Sequence, residues 1–445
     1  MSVWRDRLGH VSTWTEGLGR LMTWRRLRAY ALVLVALYVV AWVDVLVTGD
    51  PPLNSGGVPM AGDFIAFQTA GRLVLSGHAA ALYDHAAVVS VQDSLLDGRI
   101  PNFYDAYRNP PFYALLYVPF AWLDLLPAFA LWCMVGLAWL ALSLRVLLDE
   151  TPWLQHRWRG LLIFVFAFPP VYFGLIDGEN ALLSLLLFAL IYRALVRHND
   201  GRLGVWCALG LFKPQLFFVF PLVLLVTRRW RALSTYTLTA AALVAVSMAL
   251  VGVDGLQAWL RILLEPEGGQ ATVNGWRMAS AKAFFDTLFP GFAPVSLALY
   301  LCISAALLAG LVRVWLQRSV NLPVAWAFTC CVAVLVDPHL VDYDLTVLVA
   351  TGIVAATLVP RLLWSIIPLY LVALLRASVP LGETAGLQLT APLLLATAVW
   401  IYRRARLAGA GSMSPTNTAD SRIIQRPSNT PTSAAVLSSD GGTRR

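Results

Sequence analysis

Residues 28–48 read RAYALVLVALYVVAWVDVLVT. A run of roughly 20 mostly apolar residues is long enough for a helix to cross the hydrocarbon core of a bilayer. Arg25, Arg26 and Arg28 stand at its start. Basic residues favour the cytoplasmic side, so the N-terminus is expected inside and Thr48 outside. The stretch that follows, AGDFIAFQTAGRLVLSGHAAALYD (61–84), carries an acid, an arginine and a helical apolar stripe in a polar interval. On this threading it faces the exterior.

The whole chain agrees with a membrane setting. Of its 445 residues, 58% are hydrophobic and 13% charged, against about 25% charged in soluble domains. The apolar runs are continuous and lack the period-2 alternation of a β-barrel, so the fold class is an all-α polytopic membrane helical bundle. The net charge of +8 comes from arginines clustered between apolar runs and at the ends. It therefore marks topology and lipid contact, and no nucleic-acid partner is expected. The two lysines, Lys213 and Lys282, lie outside any Walker A pattern. The cysteines sit in apolar runs without metal-ligand spacing.

Three regions are expected. Residues 1–27 form a cytoplasmic or interfacial segment with Trp4, Trp14 and Trp24. Residues 28–406 form the transmembrane domain. Residues 407–445, rich in Ser, Thr, Pro and Gly, form a disordered cytoplasmic tail. Further apolar runs lie near 127–148, 160–177, 180–197, 204–227, 232–252, 290–312, 322–336, 341–359, 362–378 and 387–403, giving about 10–13 transmembrane helices. The basic groups between runs place loop 50–110, the turn DGEN (177–180), loop 253–289, DPHLVDYD (337–344) and 376–386 outside, with short amphipathic helices in these loops. FYALLYVPFAWL (112–123) reads as a re-entrant or interfacial piece, or as a short span. Residues 204–227 read as two half-helices broken at Lys213-Pro214.

This threading gathers the unusual polar residues on one side: Asp63, Arg72, Arg108, Asn109, Glu179, Asn180, Lys213, Asn274, Arg277, Lys282, His339, Asp342 and Asp344. Ionisable groups at membrane depth are expensive and mark sites by default. Asp63 reads as the N-cap of a helix through Phe64, Phe67, Gly71 and Val74, or as a general base. Arg72 and Arg108 suit lipid headgroups. Lys213 reads as a snorkelling lysine or as a phosphate ligand. Asp342 and Asp344 read as first-turn acids or, with Tyr343, as a D-x-D pattern. His339 reads as a cap or as a contact to a leaving phosphate. NGWRMAS (274–280) reads as an interfacial loop or a site wall.

GDFIAFQTAGRLVLSGHAAALYD, NPPFYALLYVPFAWL, GENALLSLLLFAL, LGLFKPQLFFVFPLVLL and DPHLVDYDLTVL, in this order, resemble glycosyltransferase family 87. The resemblance covers most of residues 28–360. It implies the GT-C fold, with an extracytoplasmic active site in a bacterial plasma membrane; the arginines at both ends are expected to hold both termini in the cytoplasm. It also implies an inverting hexosyltransferase that takes a sugar, typically mannose, from a polyprenyl-phosphate donor to a lipid or glycan acceptor. Asp63 maps onto the presumed base, Lys213-Pro214 onto the family's lysine-proline, and His339 with Asp342-Tyr343-Asp344 onto its histidine segment. Arg72, Lys213 and His339 would then stabilise the departing phosphate. Asn109, Glu179, Asn180, Arg277, Lys282, Asp342, Tyr343 and Asp344 would line the site. No cofactor and no metal is implied. Glu179 stands where the family pattern has glutamine. The alternative is a flippase for lipid-linked sugars or a small-molecule transporter. An oligosaccharide ligase using pyrophosphate-linked donors is a third reading.

Overall fold

The first apolar run folds as helix α1, Trp24–Thr48. At 1.5 Å per residue its 25 residues extend about 37 Å, enough to span a bilayer. It leaves apolar side chains bare, with Val40 64% and Val47 76% exposed. A helix face of this kind suits lipid. One side is anchored to the protein, where Tyr38 stacks on Tyr172 at 4.1 Å and donates a hydrogen bond to Ala167 O. The structure is a computed structural model that describes residues 24–156, 158–264, 277–317, 321–355, 370 and 390–411. The expected N-terminal segment before Trp24, Asn274, most of the 362–378 and 376–386 intervals and the tail beyond residue 411 lie outside the described residues.

The outer loop folds as α2 (Phe64–Leu75) and α3 (His85–Leu95). Asp84 caps α3 through the Ala87 N–H. Residues Pro111–Phe120 form a 3-10 helix. Its ten residues extend about 20 Å, short of a bilayer core of about 30 Å. It packs on α2. The two backbones touch at Gly71, where a Cβ would lie 2.5 Å from Tyr117 O. Phe67 stacks on Tyr117 at 4.8 Å beside this contact.

The membrane domain continues with α4 (Leu125–Asp149), α5 (Trp158–Ala167), α6 (Pro169–Ile176), α7 (Ala181–Val196) and α8 (Asp200–Leu209). Then follow α9 (Pro214–Val226), α10 (Trp230–Leu264), α11 (Ala281–Leu288), α12 (Ala293–Trp315), α13 (Leu322–Val336), α14 (Leu348–Ala355) and α15 (Thr390–Gly411). Proline explains two breaks. The expected span 160–177 bends by 63° between α5 and α6, where Phe168 precedes Pro169 and is held extended. The 204–227 run breaks at Lys213-Pro214, with Lys213 out of helical geometry at φ −126°, ψ 71°. The expected span 232–252 continues to Leu264 across a kink at Gly252, φ +69°.

Among the described residues, four helices are long and apolar enough to cross a membrane: Arg25–Thr48, Leu125–Asp149, Trp230–Leu263 and Ala293–Trp315. Counted as one broken span, the bent α5–α6 pair makes a fifth. Other expected runs fold as shorter apolar helices, Ala181–Val196, Pro214–Val226 and Leu322–Val336 among them, and the 362–378 run lies mostly outside the described residues. These shorter helices form the centre. Helix α7 packs on α4 and α8, and α13 on α12 and α15. Trp326 of α13 is fully buried and stacks on Phe220 at 5.8 Å. No β-strand occurs among the described residues.

Candidate active site

Four chain segments meet where α2 begins. Gly62 has φ +52°, and a Cβ there would lie 2.7 Å from Asp177 Cα. Only glycine suits this position, because the left-handed backbone and the close approach both exclude a side chain. The Phe64 N–H donates to Asp177 O at 3.2 Å, and the Trp132 indole donates to Gly178 O at 2.7 Å. The start of α2 and the turn 177–180 are thereby locked together. Asp63 occupies the N-cap position of α2, yet its carboxylate makes no capping bond. The side chain is therefore available to the site.

A second pair of segments meets it. The Asp342 N–H donates to Arg277 O at 3.0 Å, the Ala279 N–H to Leu340 O at 2.7 Å, and the Ser280 hydroxyl to Pro338 O at 3.2 Å. This short antiparallel contact, bridged at Met278 and Val341, sets Arg277 beside Asp342. The Arg277 guanidinium pairs with Asp177, and lies 3.5 Å from Asp342 Oδ1. The Lys213 ammonium, at the helix break, lies 2.7 Å from Asp344 Oδ1 and 3.4 Å from Glu179 Oε2. The Tyr343 ring connects the two ion groups. Lys213 Nζ is 5.0 Å and Arg277 Cζ 5.5 Å from its centroid, both within cation–π range.

Acids outnumber cations here, and burial makes that costly. The Asp63 carboxyl is pushed well above the usual carboxylate range, first by burial and then by Asp105, Glu179 and Asp177; Arg277 opposes the rise. Asp177 is pushed up to about 6, because burial outweighs the attraction of Arg277 and Asp342 adds to the rise. Asp337 is pushed up to about 8 by burial and by Asp344, against the His339 N–H and Lys213. A raised carboxyl is a strong base once ionised, which suits proton abstraction near neutral pH.

The structure thus brings together Asp63, Glu179, Asn180, Lys213, Arg277, Asp342, Tyr343 and Asp344. His339 lies in the same 337–344 segment, its N–H donating to Asp337 Oδ1 at 2.9 Å. Asn109 supports the Lys213 turn from outside: its Nδ2 donates to Phe212 O at 2.9 Å. Arg108 donates to Ile262 O at 3.1 Å and ties the loop to α10. Arg72 sits elsewhere. It lies nine residues along α2 from Asp63, about 13 Å of helix, and its guanidinium donates to Leu123 O at 3.1 Å. Gln68, one turn back, bonds the same carbonyl at 2.8 Å. Lys282 pairs with Asp286 at 2.6 Å on the surface of α11. Asp105, Asp177 and Asp337 join the cluster although they are not among the residues expected from the sequence. Each carried the signal that picked out Glu179, an acid at the end of an apolar run or in an aromatic loop. Asp105 is fixed by the buried Gln92, whose side chain bonds both its O and its N–H, at 2.7 and 2.9 Å.

A family model, glycosyltransferase family 87, matches residues 107–342, more than half of the chain. The matched span contains the Asp177–Asn180 turn, Lys213, Arg277 and His339, and Asp63 precedes it. No curated protein and no solved structure matches.

Proposed function

The chain belongs to glycosyltransferase family 87 and is a membrane glycosyltransferase; from that premise we propose that it moves a hexose, typically mannose, from a polyprenyl-phosphate donor to a lipid or glycan acceptor, with inversion, at the extracytoplasmic face. The observation that carries this reading is the uncapped Asp63 carboxylate within the field of Arg277 and Glu179, the latter in turn paired with Lys213. The acceptor hydroxyl gives its proton to Asp63 as its oxygen attacks the anomeric carbon from the face opposite the phosphate. The bond between that carbon and the phosphate oxygen breaks, and polyprenyl phosphate leaves with the bonding pair. Charge grows on the phosphate as it departs, so preorganised cations lower the barrier more than they tighten substrate binding.

Lys213 and His339 are the proposed phosphate ligands, with Arg277 beside them. The lysine is held by Asp344 and Glu179 before any substrate binds. An arriving phosphate therefore competes with two carboxylates, and release of Lys213 from them accompanies binding. Arg72, bonded to Leu123 O, supports the fold of the loop in this scheme. A donor on a lipid chain suits a site beside apolar helices, because the isoprenoid remains in the bilayer while its phosphate stays at headgroup level.

The test is incubation of membranes holding the protein with a panel of polyprenyl-phosphate sugars, followed by lipid extraction and assignment of the product's anomeric configuration. Transfer from a monophosphate donor with inversion is the expected result. Transfer solely from pyrophosphate-linked donors, or movement of unchanged sugar lipid across sealed vesicles, overturns the reading.

A further inference from the structure

Asn180 is fully buried, and neither its Oδ1 nor its Nδ2 has a hydrogen-bond partner. Buried carboxamides are ordinarily satisfied. The other two buried carboxamides among the described residues obey that rule at nitrogen: Gln68 Nε2 bonds Phe120 O and Leu123 O, and Gln92 Nε2 bonds Asp105 O. Asn180 occupies the N-cap position of α7 without capping it. Its own N–H is held by Glu179 Oε2 at 3.1 Å, the same oxygen that lies 3.4 Å from Lys213 Nζ. The unpartnered amide therefore adjoins the cation that the proposed function assigns to the donor phosphate.

One hydroxyl reaches the amide. The Tyr113 hydroxyl lies close to Asn180 and accepts from the Tyr117 hydroxyl at 3.2 Å. Tyr113 itself is clamped by stacking on Phe212 at 4.6 Å, one residue before Lys213. One hydroxyl can satisfy at most one of the four hydrogen-bonding positions of a carboxamide. The remaining donors and acceptor suit a group that both gives and takes hydrogen bonds. A sugar hydroxyl has that character, and a phosphate or an isoprenoid chain does not. Ser184, one turn further along the same face of α7, also has a buried hydroxyl without a partner.

We propose that Asn180, with the Tyr113 hydroxyl beside it, binds one ring hydroxyl of the transferred sugar and so sets which sugar the enzyme accepts. This rests on the reading of the protein as a polyprenyl-phosphate glycosyltransferase. A site that hydrogen-bonds a substrate hydroxyl through otherwise unpaired buried groups rejects the analogue lacking it by large factors, up to about 10⁴–10⁵.

The experiment compares wild type, Asn180→Leu and Tyr113→Phe with a preferred polyprenyl-phosphate hexose and its monodeoxy analogues, reading kcat/KM and thermal stability in detergent. Wild type is expected to reject one deoxy position strongly. Asn180→Leu should lose at least about 10-fold in kcat/KM on the full sugar and lose the discrimination at that position alone. Its thermal stability should hold or rise, because a buried unpaired amide has become a hydrocarbon of similar size. Tyr113→Phe should weaken discrimination at the same position. Unchanged discrimination by Asn180→Leu at every position overturns the proposal, as does a fall in stability with discrimination intact, which is the result for a residue that holds only structural water. If wild type transfers sugar from no polyprenyl-phosphate donor, the donor reading fails and this proposal falls with it.

Discussion

Arg277 holds Asp342 twice: its carbonyl accepts the Asp342 N–H at 3.0 Å, and its guanidinium lies 3.5 Å from the Asp342 carboxylate. The main-chain bond fixes the register between 277–280 and 337–342. The side-chain contact then becomes a consequence of that register. The same guanidinium pairs with Asp177, whose carbonyl accepts from the first residue of the Asp63 helix. Arg277 is thus the mechanical and electrostatic link between the proposed base and the 337–344 segment.

Because its carboxylate makes no capping bond, Asp63→Asn should fold as wild type and keep its thermal stability within about 1 kcal/mol. Transfer should fall by about 10²–10⁴-fold, the usual contribution of a positioned base. Donor binding should be unchanged. Sugar transfer at the wild-type rate by this variant would remove Asp63 as the base.

The pH dependence follows from the same group. As the proposed base, Asp63 would act when ionised, and its pKa is raised by burial and by Asp105, Glu179 and Asp177. Activity should therefore rise with pH and be lost as pH falls through the pKa of the folded protein. Asp177→Asn removes one neighbouring negative charge and frees Arg277 to act on Asp63. Both changes favour the ionised form, so the acid limb of the kcat/KM profile should move to lower pH. A limb that stays in place, or moves up, contradicts the assignment.

Asp337 should make stability itself depend on pH. Its carboxyl is pushed up to about 8 in the folded protein, from about 3.9 in an unfolded chain. Between these values the folded state binds the extra proton, so stability is full below about 4 and is lost as pH rises through about 8. The slope is at most about 1.4 kcal/mol per pH unit. Asp337→Asn keeps an oxygen for the His339 N–H and cannot ionise. Thermal unfolding of this variant should lose most of that slope and be more stable than wild type at pH 8.

Much of this arrangement was legible in the chain. The apolar runs located the helices, the Lys213-Pro214 pair located a break, and Asp63, Glu179, Asn180, Arg277 and 342–344 were selected as site residues from their polarity in an apolar chain. What stayed hidden was long-range. Nothing near Lys213 names Asp344, which is 131 positions away. Nothing near Arg72 tells that a main-chain carbonyl at Leu123 binds it. Local patterns report which face of a helix is apolar, whereas pairings of this kind depend on how helices are stacked. The same limit hides the bend at Pro169: a run of apolar residues does not say that it turns by 63° there.

The structural and the proposed binding roles of Lys213 can be separated by mutation. Its ammonium is buried between Asp344 and Glu179, so Lys213→Met leaves two carboxylates without their counter-charge. Breaking a buried pair from one side costs about 3–5 kcal/mol, whereas replacing all partners by neutral groups is often nearly neutral. Lys213→Met alone should therefore lower thermal stability markedly. The triple variant with Glu179→Gln and Asp344→Asn should recover most of it. Donor binding, followed by titration with a polyprenyl-phosphate sugar, should fail in both proteins, because neither presents the ammonium to the phosphate. If the stable triple variant binds donor as tightly as wild type, Lys213 serves the fold alone.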